Sequence, residues 1–323
     1  MTATRAAARP ARLALSPRDG VREAAHAALA FHLQGLVHER AGASSGEAEA
    51  IHQLRVATRR LRTAIGLFRR ALYASQADKM RRDLATAAHA AGRVREADVT
   101  GELLRKRARK LDAAFAKALG PIFSENTRRR AEGMKELVQV LNSKSHQSVV
   151  QRLATPTYRR GREVALGSIA SELLRPLLRA LIRAGSVLSD AAPPQAIHRL
   201  RVRAKRVRYA LEMLGGLGRK KLSKTLARLE RLQDVLGEHN DVTGAIRWLR
   251  ECTERIAVPA DTLLAAGALL QILRARERKL ARRGLKAWRR LERSGLLHGA
   301  LAEVRRTAAH WQAEIVPEAD AAP

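Results

Sequence analysis

The chain has 323 residues, with 62 Lys plus Arg against 31 Asp plus Glu, and so a net charge of +31. Hydrophobic residues at 46% supply a core and exclude a charge-extended disordered chain, while a single cysteine, Cys252, excludes an intrachain disulfide framework and a cysteine-based zinc site. The charge points to polyanionic partners, whether nucleic acid, an anionic membrane surface or an inorganic polyanion, and aromatics at 3% argue against stacking on nucleobases.

Residues 1–17 are rich in Arg and Ala and poor in acids, and read as a disordered basic arm. From residue 18 to 312 the apolar positions recur at three- and four-residue spacing, which predicts an all-α chain. Helices are expected near 18–41, 47–73, 77–92, 95–119, 121–142, 157–189, 193–214, 219–237, 239–257, 260–293 and 296–312. Ser44 with Glu47 has capping-box spacing before the second helix. Pro193 and Pro194 suit the first turn of the seventh, and Gly215, Gly216 and Gly218 suit its end. The longest uncharged apolar stretch towards the end, Thr262–Leu273, is twelve residues, too short to span a bilayer. Residues 313–323 read as a frayed acidic tail.

One basic, histidine-led segment occurs twice. Residues 51–68 (IHQLRVATRRLRTAIGLF) and 197–214 (IHRLRVRAKRVRYALEML) share eight of eighteen positions without gaps. A weaker pair, GRVRE from Gly92 and GEHND from Gly237, recurs at nearly the same offset, 145 against 146 residues. Two motifs at one period predict an internal duplication. The halves would cover about 18–150 and 157–312, joined by a linker at Asn142–Thr157, as two pseudo-symmetric antiparallel four-helix bundles. The second motif is expected at a turn between helices.

At 100° per residue, Leu54, Leu61, Ile65, Phe68 and Leu72 form one stripe and His52, Arg55, Arg59 and Arg62 the opposite one, continued by Arg69. The second copy repeats this, with Leu200, Val207, Leu211 and Leu214 opposite His198, Arg201, Lys205 and Arg208. Each cationic row runs about 15 Å along its helix. A charged face opposite an apolar one is normally just solvated. Here acids are missing from the first row, and only Glu212 accompanies the second. Repulsion without i,i+4 partners points to a ligand that neutralises it. Arginine forks, a lysine point charge and histidine donors are the groups that grip phosphate. Lys224 and Arg228 are second-tier candidates, together with Arg69, whereas Arg175, Arg179 and Arg183 read as a solvated stripe.

The pattern His-x-Leu-Arg-Val-x-x-(Arg/Lys)-Arg-(Leu/Val)-Arg at His52–Arg62 and His198–Arg208 resembles the CHAD domain, the conserved histidine α-helical domain. LQDVLGEHNDV at 232–242 and the looser GRVREADV from Gly92 resemble that family's second element. The resemblance implies paired helical bundles around a basic central cleft, binding of inorganic polyphosphate, and association with polyphosphate granules in the cytoplasm. It implies a site of His52, Arg55, Arg59, Arg60, Arg62, His198, Arg201, Lys205, Arg206 and Arg208. Arg60 and Arg206 lie off the main rows and are expected to shape the cleft wall or pack against a neighbour.

Other chemistries find little support. There is no Gly-rich loop ending in Gly-Lys-Ser/Thr. Glu238, His239 and Asp241 form a weak metal candidate, and Cys252 has no base near it in sequence. No metal, cofactor or membrane partner is expected, and the chain reads as a stand-alone, non-enzymatic binding domain. A nucleic-acid-binding, nucleoid-associated protein is the alternative; it rests on charge alone.

Overall fold

In a computed structural model, residues 13, 15–214 and 220–314 are described, and every regular element among them is a helix. These are α1 (Val21–Ser45), α2 (Ala48–Leu67), α3 (Ala74–Ala108), α4 (Ala113–Ala118), α5 (Gly120–Asn142), α6 (Lys144–Ala154), α7 (Leu166–Ser186), α8 (Pro194–Met213), α9 (Lys220–Arg255), α10 (Ala260–Arg293) and α11 (Leu296–Glu314). The expected glycines after α8 and the tail from residue 315 lie outside the described residues. In the expected N-terminal arm, Leu15 is buried at 3% exposure in the main core, so residue 15 is anchored by apolar contact.

Several local readings hold. Pro193 is the N-cap of α8 and Pro194 starts its first turn. The nine apolar residues of the two stripes are all exposed at 1% or less. Others need correction. Ser44 belongs to α1, which ends at Gly46 in the left-handed region, φ 89°, with its N–H bonded to the carbonyls of Ala43 and Gly42. Glu47 then caps α2 without a side-chain hydrogen bond, so the capping box does not form.

The expected break at 92–95 is absent, and α3 runs 35 residues through Gly92. Likewise α9 runs 36 residues through Gly237. Neither glycine has positive φ, so the helix continues. The GRVRE and GEHND motifs therefore lie within long helices and not at turns. The expected linker holds a helix, α6, capped by Ser143, whose Oγ accepts from the His146 N–H at 3.1 Å. Extended chain begins only after it. Tyr158 bridges to Leu72, and Ala165 bridges to Gly20.

The neighbour order repeats along the chain. In the first half α1 packs on α2, α2 on α3, α3 on α5, and α6 on α1 and α3. In the second, α7 packs on α8, α8 on α9, α9 on α10, and α11 on α7 and α9. The helices carrying the two histidine motifs, α2 and α8, meet each other, as do α3 and α9. The largest apolar cluster runs through both halves, from Leu29 and Ile65 to Leu200 and Trp288.

Candidate functional site

The apolar stripes of α2 and α8 are buried, which turns their cationic rows toward each other. Burial and mutual proximity leave their mark on Lys205, Arg55, Arg201 and His52. Lys205 is pushed down to about 6 by burial first, then by Arg201, Arg59 and Arg208, with Asp241 opposing. Arg55 falls to about 10 through burial, Arg59, Arg201 and Arg95, against support from Glu96. Burial, followed by Arg59, also lowers Arg201, while Asp241 opposes the shift. Burial again leads for His52, then Arg95, Arg55 and Lys205, and only Glu49 favours its charged form. Arg55 and Arg59 of α2 thus share one electrostatic neighbourhood with Arg201 and Lys205 of α8.

Arg95, Glu96, Asn240 and Asp241 complete this neighbourhood, and the sequence reading had placed them at turns as structural residues. Asp241 is raised by burial, with Arg201, a hydrogen bond from Asn240, Lys205 and Arg95 pulling it back. His198 is exposed, and its Nδ1 lies 2.7 Å from Asn240 Oδ1. With that oxygen as acceptor, Nδ1 is the donor and Nε2 is left facing outward. On a continuous α3, Gly92, Arg95 and Glu96 share one face, and on α9 Gly237, Asn240 and Asp241 repeat the spacing. The helical wheel finds these residues once the glycines are read as helical.

The outer members separate into groups. Arg62 is lowered by burial, Arg81 and Arg59, and its Nε is buried without a hydrogen-bond partner, as is that of Arg201. Arg206 is lowered by partial desolvation, Arg203, Arg81 and Arg62, so it extends the cationic surface toward α3. Arg60 behaves differently. Its Nη2 lies 3.1 Å from Glu212 Oε2, and its guanidinium sits 5.6 Å from the Tyr209 ring centre. Arg208 uses the same acid at 3.3 Å, reaches Glu230 at 3.6 Å, and flanks Tyr209 at 5.2 Å. Arg60 therefore joins the halves, while Arg208 braces the same acid and ring from within α8. Arg69 pairs with Asp78 at 2.8 Å, and Lys224 and Arg228 stand exposed on α9.

The weak metal candidate does not assemble. Glu238 pairs with Arg276, His239 is buried and lowered by burial, and Asp241 faces the cations. Among the described residues no three His, Cys, Asp or Glu side chains are placed to hold an ion. Cys252 is buried, and burial raises its thiol, the setting of an inert cysteine. Among the described residues no helix is long and apolar enough to cross a membrane.

The arrangement gathers positive charge along a line with few counter-charges. Arg55, Arg59, Arg201 and Lys205 have already lost much of their water, so part of the desolvation cost falls on folding and not on binding.

Three comparisons bear on this geometry. The family model described as CHAD domain matches residues 27–250. The structure superposes on the CHAD domain from the plant Ricinus communis with TM-score 0.69 and 26% identity, covering 86% of this chain and 96% of that one. It superposes on PptA from Streptomyces chartreusis with TM-score 0.70 and 20% identity, covering 84% of this chain and all of that one, a likeness of fold. No curated protein matches the sequence.

Proposed function

Because the chain belongs to the CHAD-domain family, we propose that it binds inorganic polyphosphate between α2 and α8, without cleaving or building it. The observation that carries this reading is the convergence of Arg55 and Arg59 with Arg201 and Lys205, with only Glu96 and Asp241 as nearby counter-charges. Arginine forks take non-bridging oxygens in two-point contacts, and Lys205, once protonated, adds a point charge. His52 donates from the start of its row, and His198, whose Nδ1–H is held by Asn240, donates from Nε2 when its ring is protonated. Arg62 and Arg206 continue the cationic surface for the next phosphates. The ten residues implied by the family resemblance divide on this reading into direct ligands and two others: Arg60, which ties α2 to α8, and Arg208, which holds Glu212 and Tyr209 in place for it. Granule association follows from the same affinity.

Replacing Arg55, Arg59, Arg201 and Lys205 together by Ala abolishes polyphosphate binding while the far-ultraviolet helical signal is retained. Unchanged affinity in a folded variant contradicts the assignment. Duplex DNA as competitor separates this reading from a general nucleic-acid binder. A site fitted to a thin polymer keeps polyphosphate in the presence of DNA.

A further inference from the structure

The α2/α8 cluster uses only part of the +31 excess. A second concentration lies on α10. Arg278, Arg282, Lys286, Arg289 and Arg293 are all exposed. At 100° per residue they fall within an arc of about 80° and run about 22 Å along the helix. Lys279, Arg283 and Arg290 flank the arc and are exposed as well. Within residues 278–293 the one acid is Glu292.

The opposite face of α10 is firmly seated. Leu280, Gly284, Leu285, Trp288 and Leu291 are buried. A Cβ on Gly185 of α7 would run into the Trp288 ring, and one on Gly284 would meet Leu236 of α9 at 2.9 Å. The ridge is therefore a fixed feature of the surface. Its charges are also treated unlike those earlier in the helix. Arg276 pairs with Glu238, and Glu277 accepts from Thr243 at 2.7 Å. Along the ridge, Arg289 with Asp190 at 3.7 Å is the one ion pair among the described residues. Like charges at i,i+4 destabilise a helix, and here they follow one another with Glu292 as the one acid among them.

The charges that act on Arg55, Arg201 and Lys205 come from α2, α3, α8 and α9, and no ridge residue of α10 is among them. A polymer segment lying on the ridge is thus separate from one held by the cluster.

We propose that the α10 ridge is a second contact for inorganic polyphosphate, so that one molecule holds two polymer segments and bridges them. The identity of the polymer rests on the reading of the α2/α8 cluster. An exposed ridge of five cations along one helix face matches a flexible linear polyanion in charge and needs no shaped pocket.

The test compares three proteins: the native chain, a ridge variant (Arg278, Arg282, Lys286, Arg289 and Arg293→Ala), and a charge control (Lys106, Arg109, Lys110, Lys117 and Lys135→Ala). All ten positions are exposed. Calorimetry with a short polyphosphate reads the cluster, and light scattering with a long-chain polyphosphate reads bridging. The ridge variant is expected to keep short-chain affinity and lose scattering, while the control keeps both. Native-like scattering by the ridge variant, or equal loss in the control, overturns the proposal. So does a ridge variant that loses duplex DNA binding yet still bridges polyphosphate, which makes the ridge a nucleic-acid surface. Failure of the native chain to bind the short polymer is a different result, since it removes the reading of the cluster itself.

Discussion

The guanidinium of Arg55 occupies the space that a side chain at position 92 would fill. A Cβ on Gly92 would lie 2.5 Å from Arg55 Nη1, whereas one on Gly237, the corresponding position of α9, would meet nothing within 4 Å. Gly92 therefore sits inside a 35-residue helix at a cost in propensity and in return lets α3 approach the cationic row of α2.

Two glycine substitutions separate those effects. Gly92→Ala and Gly237→Ala should each gain up to about 1 kcal/mol of helix stability, read by thermal or chemical unfolding. Only Gly92→Ala displaces Arg55, so only it should weaken polyphosphate binding. Equal affinities in the two variants would show that the close approach has no part in the site.

Lys205 makes binding depend on pH. Its amine titrates near 6 in the free protein, against 10.5 for an ordinary lysine. A bound polyanion favours the charged form and raises that value, so binding takes up a proton between the two. Affinity should fall as pH rises from 6 toward 8, by up to about tenfold per unit for one full proton. Calorimetry at pH 7.5 in buffers of different ionisation enthalpy should give different heats. The difference should shrink in Lys205→Arg, which stays charged throughout, leaving the His52 contribution. Identical heats in the native protein would refute the coupling.

The same amine opposes folding of the unliganded chain. Between pH 6 and 10.5 the unfolded state holds a proton on Lys205 that the folded state does not. Stability from this group therefore rises with pH across that window. Lys205→Met should stabilise the free protein at pH 6 by on the order of 1 kcal/mol, read as a higher melting temperature, and weaken polyphosphate binding. A variant that is both less stable and fully competent to bind would contradict both roles.

Asn240 fixes the ring of His198 at 2.7 Å. Asn240→Ala should loosen the imidazole and reduce affinity about fivefold, the equivalent of one hydrogen bond of about 1 kcal/mol. The helical signal should be unchanged. If His198→Ala and the double variant bind like Asn240→Ala, the two residues act as one unit; additive losses would mean that Asn240 meets the ligand by itself.

Helical periodicity carried the sequence reading a long way. The stripes at Leu54–Leu72 and Leu200–Leu214 identified the buried faces, and their opposite faces located Arg55, Arg59, Arg201 and Lys205. The failures have a common cause in glycine. Gly92 and Gly237 were read as helix ends because glycine weakens a helix, but α3 and α9 continue through them with ordinary φ. That error placed Arg95, Glu96, Asn240 and Asp241 at turns when they face the cations. Partner choice was also hidden. Arg60 lies off the main row, but its partners Glu212 and Tyr209 become its neighbours only when α2 meets α8. The helix α6 was missed because its eleven residues carry few apolar positions.

The central claim is a dedicated polyphosphate site, and calorimetric titration with long-chain polyphosphate at physiological salt, against duplex DNA at equal phosphate concentration, tests it most directly. The account predicts tight binding that DNA fails to displace and that the Arg55, Arg59, Arg201 and Lys205 variant lacks. Equal displacement by DNA would mean that the net charge of +31 acts without selectivity, and would contradict it.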